Sequence, residues 1–222
     1  MIKLVLLDVD GTLTGRDRQI STRAVEAIRK SQKQGTVVCL ASGNVIPVMY
    51  GLRIFLGLNG PVFGENGGVM YQERVEAFFT MEKPLKLFRE LESEGLLEGI
   101  LSNKWRECSM AYVPAENRED EISARASSNG LSTVDSGFSW HLLNSGQNKG
   151  FALEHLKKMY SLRYEEMLVM GDSFNDISMF RKEVFKAVPM NAEERLKEVA
   201  DYTAKSSNGD GVGEVLSNLS SF

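Results

Sequence analysis

Apolar and polar positions alternate in blocks along the first eighty residues. Ile2 to Leu7, apolar but for Lys3, stops at Asp8. Such a run predicts a strand buried on both faces, as in a parallel sheet. Ser21 to Gln34 carries Ala24, Val25 and Ile28 at helical spacing, with Ser21 placed to cap the start and Gly35 to end the helix. Thr36 to Ala41 predicts a second buried strand, and Asn44 to Leu56 a helix that tolerates Pro47 in its first turn. Pro61 to Gly64 predicts a third short strand. Strand and helix alternate, which implies crossover connections and a parallel sheet.

The middle of the chain reads differently. Glu65 to Gly68 marks a turn, followed by a hairpin over Val69–Tyr71 and Val75–Phe79. A helix over Lys86–Ser93, strands within Ile100–Val113, a helix over Glu119–Asn129 and strands within Thr133–Leu143 follow. Polar residues interrupt these strands, so they read as half exposed and antiparallel. After residue 150 the α/β rhythm returns. Helices are predicted over Phe151–Tyr160, Ile177–Arg181, Glu193–Val199 and Val212–Leu219, and strands over Met167–Met170 and Phe185–Val188. The expected architecture is a doubly wound, Rossmann-like α/β core formed by residues 1–81 and 151–222. A smaller α+β unit, residues 82–150, is inserted into it.

Composition narrows the function classes. The chain has 222 residues, 42% of them hydrophobic, and a formal net charge of −4. No basic stripe is present to neutralise a phosphate backbone, which argues against a nucleic-acid partner. The first apolar run is too short for a signal or membrane segment, and no other stretch approaches the length of a span. Cys39 and Cys108 stand far apart, outside any metal-binding spacing, and read as free thiols. The expectation is a soluble cytoplasmic protein.

Chemistry concentrates at predicted strand ends. Asp8 and Asp10, two apart on an extended segment after the first strand, project the same way, and Gly11 lets the chain turn off. The plain alternative is a pair of solvated loop acids. Asp172 and Asp176 follow another buried strand, where helix capping is the alternative. Ser42 and Gly43 stand between a strand and a helix, a place for a capping hydroxyl or for an anion on exposed N–H groups. Lys149 alone would read as a solvated charge. Taken together, these groups have one economical use. A carboxylate attacks phosphorus, and a second carboxyl group protonates the leaving oxygen and then activates water. A hydroxyl and an ammonium stabilise the transferring group. Few, hard oxygen ligands suit Mg²⁺.

These residues resemble the haloacid-dehalogenase-like (HAD) phosphatases over the whole chain. Asp8 to Thr12 matches the family's DxDGT motif, Ser42 its second motif, Lys149 its third, and Gly171 to Asp176 its GDxxND motif. The insertion between Ser42 and Lys149, and the stretch Glu65-Asn66-Gly67-Gly68, are similar to the Cof-like branch with the larger α+β cap type. A short chain, a cap near 70 residues and the runs 42–48, 60–68 and 136–141 resemble the archaeal phosphoglycolate phosphatases. The resemblance implies Asp8 as nucleophile and metal ligand, and Asp10 as general acid/base whose backbone carbonyl also meets the metal. Ser42 and Lys149 would hold the phosphoryl group, Asn175 would orient Lys149 or the phosphate, and Asp172 and Asp176 would hold Mg²⁺. It implies hydrolysis of a small phosphomonoester, foremost 2-phosphoglycolate, by way of an aspartyl-phosphate. The alternatives are a sugar phosphate or another small phosphorylated metabolite, and, in a different class, a non-catalytic module that binds Mg²⁺ or phosphate. A homodimer is also expected from the resemblance. In the inserted unit, His141 reads as an ordinary strand histidine or as one that reads substrate. Arg106 could grip a carboxylate bidentately but reads as solvated, in a strand with Trp105. His155 reads as a surface helix residue.

Overall fold

A computed structural model describes all 222 residues. Two separate sheets organise them. Eight strands form the first: β1 (Leu4–Leu7), β2 (Val37–Ala41), β3 (Val62–Gly64), β4 (Val69–Tyr71), β5 (Val75–Ala77), β10 (Met167–Met170), β11 (Phe185–Val188) and β12 (Tyr202–Thr203). Their order is β12-β11-β10-β1-β2-β3-β4-β5. Pairing is parallel from β12 through β3, and β4 and β5 add an antiparallel edge. The chain runs outward one way from β1 to β3 and the other way from β10 to β12. The order therefore reverses between β1 and β10, where open α/β sheets place their ligands.

The apolar runs explain this sheet. Within β1, Val5 and Leu7 enter one core with Ala24 and Ile28 of α1 (Thr22–Lys33), Met49 of α2 (Ile46–Leu56) and Val212 and Val215 of α7 (Asn208–Ser217). Leu4 and Leu6 enter a second core, with Ala152, Leu153 and Leu156 of α5 (Lys149–Met159). Successive residues of a strand point to opposite faces. A strand apolar at every position is therefore a strand covered on both, and the expected doubly wound α/β core is present. Burying each leucine-sized side chain contributes about 1.5–3 kcal/mol.

The second sheet has four antiparallel strands in the order β6-β7-β9-β8. They are β6 (Leu97–Gly99), β7 (Met110–Pro114), β8 (Leu131–Asp135) and β9 (Trp140–Asn144). Helices α3 (Glu82–Ser93) and α4 (Glu119–Ser128) complete this cap, and its own core joins Leu87, Phe88, Leu91, Tyr112, Ile122 and Leu142. Leu142 points to the helices, so its neighbour His141 points the other way, toward the large sheet.

Several local expectations change. The stretch from Ile100 is not a strand up to β7: residues 101–105 coil into a 3-10 turn. The amide of Asn103 donates to the Ala111 carbonyl (2.8 Å) and accepts from its N–H (2.8 Å), taking the place of a neighbouring strand. Trp105 ends that turn and Arg106 follows it, so neither lies in a strand. Residues 174–179 form a 3-10 helix where Ile177–Arg181 was expected, and a four-residue α6 (Glu194–Lys197) replaces the longer predicted one. Ser21 occupies the N-cap position of α1, but its hydroxyl makes no capping bond; it turns to Asp210 and ties α1 to the start of α7. His155 is half-buried against Phe63, Phe78 and Phe151 rather than free on the surface. No helix is long and apolar enough to cross a membrane.

Candidate active site

The site lies at the carboxyl ends of three adjacent strands. Asp8 follows β1, Ser42 follows β2 and Asp172 stands two residues past β10. Register fixes them: the Asp8 N–H donates to the Met170 carbonyl (2.9 Å) and the Ser42 N–H to that of Phe63 (3.0 Å). Lys149 opens α5 behind the cap Asn148, whose side chain accepts from the Phe151 N–H (3.1 Å). The helix start aims a lysine with only 2% of its surface exposed at the strand ends. Its ammonium donates to Asp8 Oδ1 (2.5 Å), Asp176 Oδ1 (2.6 Å) and Asn175 Oδ1 (3.3 Å).

The loop after β10 is shaped by its own acids. Asp176 Oδ2 accepts from the N–H groups of Asp172 (3.0 Å) and Ser173 (3.2 Å), which caps the 3-10 helix it belongs to. The Thr12 hydroxyl donates to Asp172 Oδ1 (2.8 Å). Gly11, at φ +90°, is pressed against this carboxylate, and a Cβ there would collide with it. Gly11 is thus needed twice, for the left-handed turn and for the close approach.

Carboxylate oxygens of Asp8, Asp172 and Asp176 lie within 4.8 Å of one another. One ammonium cannot neutralise three such groups. Burial, and then repulsion from Asp176, push Asp8 well above the usual carboxylate range despite the pull of Lys149. The same two causes push Asp172 up to about 6. Burial opposes the charge on Lys149, yet Asp176 and Asp8 outweigh it and hold the ammonium above its ordinary value. An excess of buried negative charge on hard oxygens, in one cluster, fits a divalent cation. The donor set contains no thiolate or imidazole that would favour a softer metal.

Asp10 sits beside this cluster, not in it. Asn44 Nδ2 (2.6 Å) and Arg18 Nη1 (2.9 Å) donate to its two oxygens, and the Ser42 hydroxyl lies 3.5 Å away. Ser42 Oγ in turn accepts from the Asn44 N–H (3.1 Å). Asn44 and Arg18 were not singled out from the sequence. Asn44 directly follows Ser42 and Gly43 and could have been; Arg18 lies in a polar turn with no signal to mark it.

The cap closes over these groups and leaves a cavity of about 200 Å³. Asp8, Asp10, Ser42, Gly43, Lys149 and Asn175 line it from the core. From the cap come Arg106, Ser136, Phe138, Ser139 and His141. Arg18 stacks on the Phe138 ring at 3.8 Å, so one side chain joins Asp10 to the cap. His141 is buried within the cavity wall, and burial, reinforced by Arg106 and Lys149, lowers its basicity well below the usual histidine value. Arg106 is not solvated, contrary to expectation: only 9% of it is exposed. It reaches from the cap to the Gly43 carbonyl (3.1 Å). The sequence-predicted residues Asp8, Asp10, Ser42, Gly43, Lys149, Asn175, Asp172 and Asp176 therefore all meet in one place.

Comparison with known proteins agrees with this geometry. The family of haloacid dehalogenase-like hydrolases matches residues 5–94 and 100–216. The phosphoglycolate phosphatase of Thermoplasma volcanium is 50% identical over 221 residues, 99% of each chain, and that of Thermoplasma acidophilum 47% identical over the same share. A crystal structure of the Thermoplasma acidophilum protein 0175 superposes with a TM-score of 0.96 at 46% identity, covering 100% of both chains. Motif, fold and relatives agree that the chain belongs to the haloacid dehalogenase-like hydrolases.

Proposed function

We propose that this hydrolase is a Mg²⁺-dependent phosphatase that cleaves 2-phosphoglycolate to glycolate and phosphate through an aspartyl-phosphate on Asp8. The observation that carries it is the junction at Lys149, which binds Asp8 and Asp176 at once, with Asp172 in the same oxygen cluster. The names of the relatives, shared over 99% of the chain, supply the substrate.

Asp8, Asp172 and Asp176 would hold the cation, together with the backbone carbonyl of Asp10. Bound there, Mg²⁺ supplies positive charge that offsets the phosphoryl oxygens and orients the nucleophile. The rest is the work of the chain. Asp8 attacks phosphorus, and the bond from phosphorus to the ester oxygen breaks. The Asp10 carboxyl group gives its proton to that oxygen, and glycolate leaves. Asp10, now ionised, takes a proton from water as the water attacks phosphorus, and the bond from phosphorus to Asp8 breaks. Asn44 and Arg18 fix Asp10 in place for both transfers. Lys149 and the Ser42 hydroxyl stabilise the charge on the transferring group. The cap excludes bulk water and large esters.

Phosphate release, measured with and without Mg²⁺ over 2-phosphoglycolate, sugar phosphates and nucleotides, tests the proposal. The expected result is a kcat/KM highest for 2-phosphoglycolate and abolished by a chelator. A higher value for a sugar phosphate would keep the mechanism and remove the substrate.

A further inference from the structure

Three cations line the cavity, and two are already paired. Lys149 is held by Asp8 and Asp176, and Arg18 by Asp10 at the half-exposed mouth. Arg106 differs. It lies on the β2 side of the site, against Gly43, whereas Asp172 and Asp176 follow β10 on the far side of β1. Its guanidinium donates to the Gly43 carbonyl and to the Ser109 hydroxyl (2.9 Å), both neutral acceptors. Its Nε is buried with no partner. A buried donor without an acceptor is costly and rare, and Arg106 lines the cavity with more N–H groups than these two acceptors take up.

The side chain is held rigidly. The Ser109 hydroxyl, which accepts from Arg106, donates to Glu65 Oε2 (2.6 Å). Glu65 belongs to the core, at the end of β3, and is fully buried with φ +51°. Its carboxylate also accepts the N–H groups of Glu107 (2.7 Å) and Cys108 (3.2 Å), the two residues after Arg106. Three consecutive cap residues are thus fastened to one core carboxylate, and the preceding arginine is pointed into the cavity. His141 stands beside it, its Nε2 against Gly43 and its Nδ1 also unpartnered.

We infer that Arg106 determines specificity by binding the substrate's carboxylate, with Glu65 and Ser109 as positioning residues. The inference rests on the phosphatase reading above and names the contact that would select a carboxylated ester. A planar fork with free N–H groups matches a carboxylate, and burial raises the strength of the contact. An ester of the same size without the carboxylate would leave the buried donors unpaired, which is how a site rejects a near neighbour.

The test compares 2-phosphoglycolate with 2-hydroxyethyl phosphate, which replaces the carboxylate by a hydroxymethyl group. In Arg106→Gln, the ratio of kcat/KM for the first over the second is expected to fall about 100-fold, chiefly through KM for 2-phosphoglycolate. Arg106→Lys, which keeps the charge and loses the fork, should lower the ratio as well. Ser109→Ala leaves Arg106 in place and removes one of its two fastenings, keeping the bond to Gly43. It carries the test if Arg106→Gln does not fold, with an expected fall of about tenfold in the same ratio. A ratio unchanged in the folded variants overturns the role of Arg106 while leaving the phosphatase reading intact. A wild-type protein that shows no preference for 2-phosphoglycolate over 2-hydroxyethyl phosphate overturns the substrate reading, and this inference with it.

Discussion

The two sheets contribute to the same cavity by opposite means. The large sheet is apolar along its central strands and carries its polar groups only beyond their carboxyl ends, where Asp8, Ser42 and Asp172 emerge side by side. The cap sheet keeps one apolar face for α3 and α4 and turns the other, with His141 and Ala111, toward the core. The difference separates chemistry from selection. Groups at the ends of rigid parallel strands hold fixed positions with respect to one another. Groups on the cap hold their positions only through contacts such as Glu65 with residues 107–109 and Arg18 with Phe138. Substitutions in the first set should lower turnover of every substrate, and those in the second should change which substrate is preferred.

The sharpest way to break that division is Asp10→Asn. Loss of the proton donor and base should lower kcat by about 10²–10⁴-fold on 2-phosphoglycolate and 2-hydroxyethyl phosphate alike. A loss confined to one of them would mean that Asp10 reads the substrate. The next effect concerns the metal. Burial and repulsion from Asp176 raise both Asp8 and Asp172, so without metal the folded protein binds more protons than the unfolded chain. Their contribution to stability is therefore present at low pH and is lost as pH rises through about 6, the value to which Asp172 is pushed. Mg²⁺ must displace those protons, so the rise in Tm on adding Mg²⁺ should grow between about pH 5 and pH 7. Thermal unfolding with and without the ion checks this, and a rise independent of pH would place the cation elsewhere. The smallest expected effect is Phe138→Ala. It removes the ring under Arg18, a contact of about 0.5–1 kcal/mol, and should change kcat/KM by no more than about fivefold. A far larger loss would make the cap part of the chemical machinery.

The same contrast explains what could be read beforehand. The central strands were legible because complete burial demands unbroken apolar runs, and the acidic residues that end those runs marked the site. Lys149 had no such signal of its own and stood out only in company with the acids and the hydroxyl, and by family resemblance. Arg106 was misread because nothing local distinguishes a buried arginine from a solvated one. Its burial depends on Ser109 and on Glu65, which is 41 positions earlier in the chain. The turn at residues 101–105 was missed for a similar reason: one Asn103 side chain supplies the hydrogen bonds expected of a strand. Periodicity reports which face is apolar, whereas these features depend on single polar side chains meeting across the fold.

The central claim is that Asp8 carries the phosphoryl group. Rapid acid quenching of the enzyme during turnover of 2-phosphoglycolate with Mg²⁺, followed by peptide mass spectrometry, tests it directly. The account predicts a mass gain of one HPO₃ on the peptide that contains Asp8, absent in Asp8→Asn, which should also release no phosphate above background. Phosphate release persisting at the wild-type rate in Asp8→Asn, with no labelled Asp8 in the native enzyme, would contradict it.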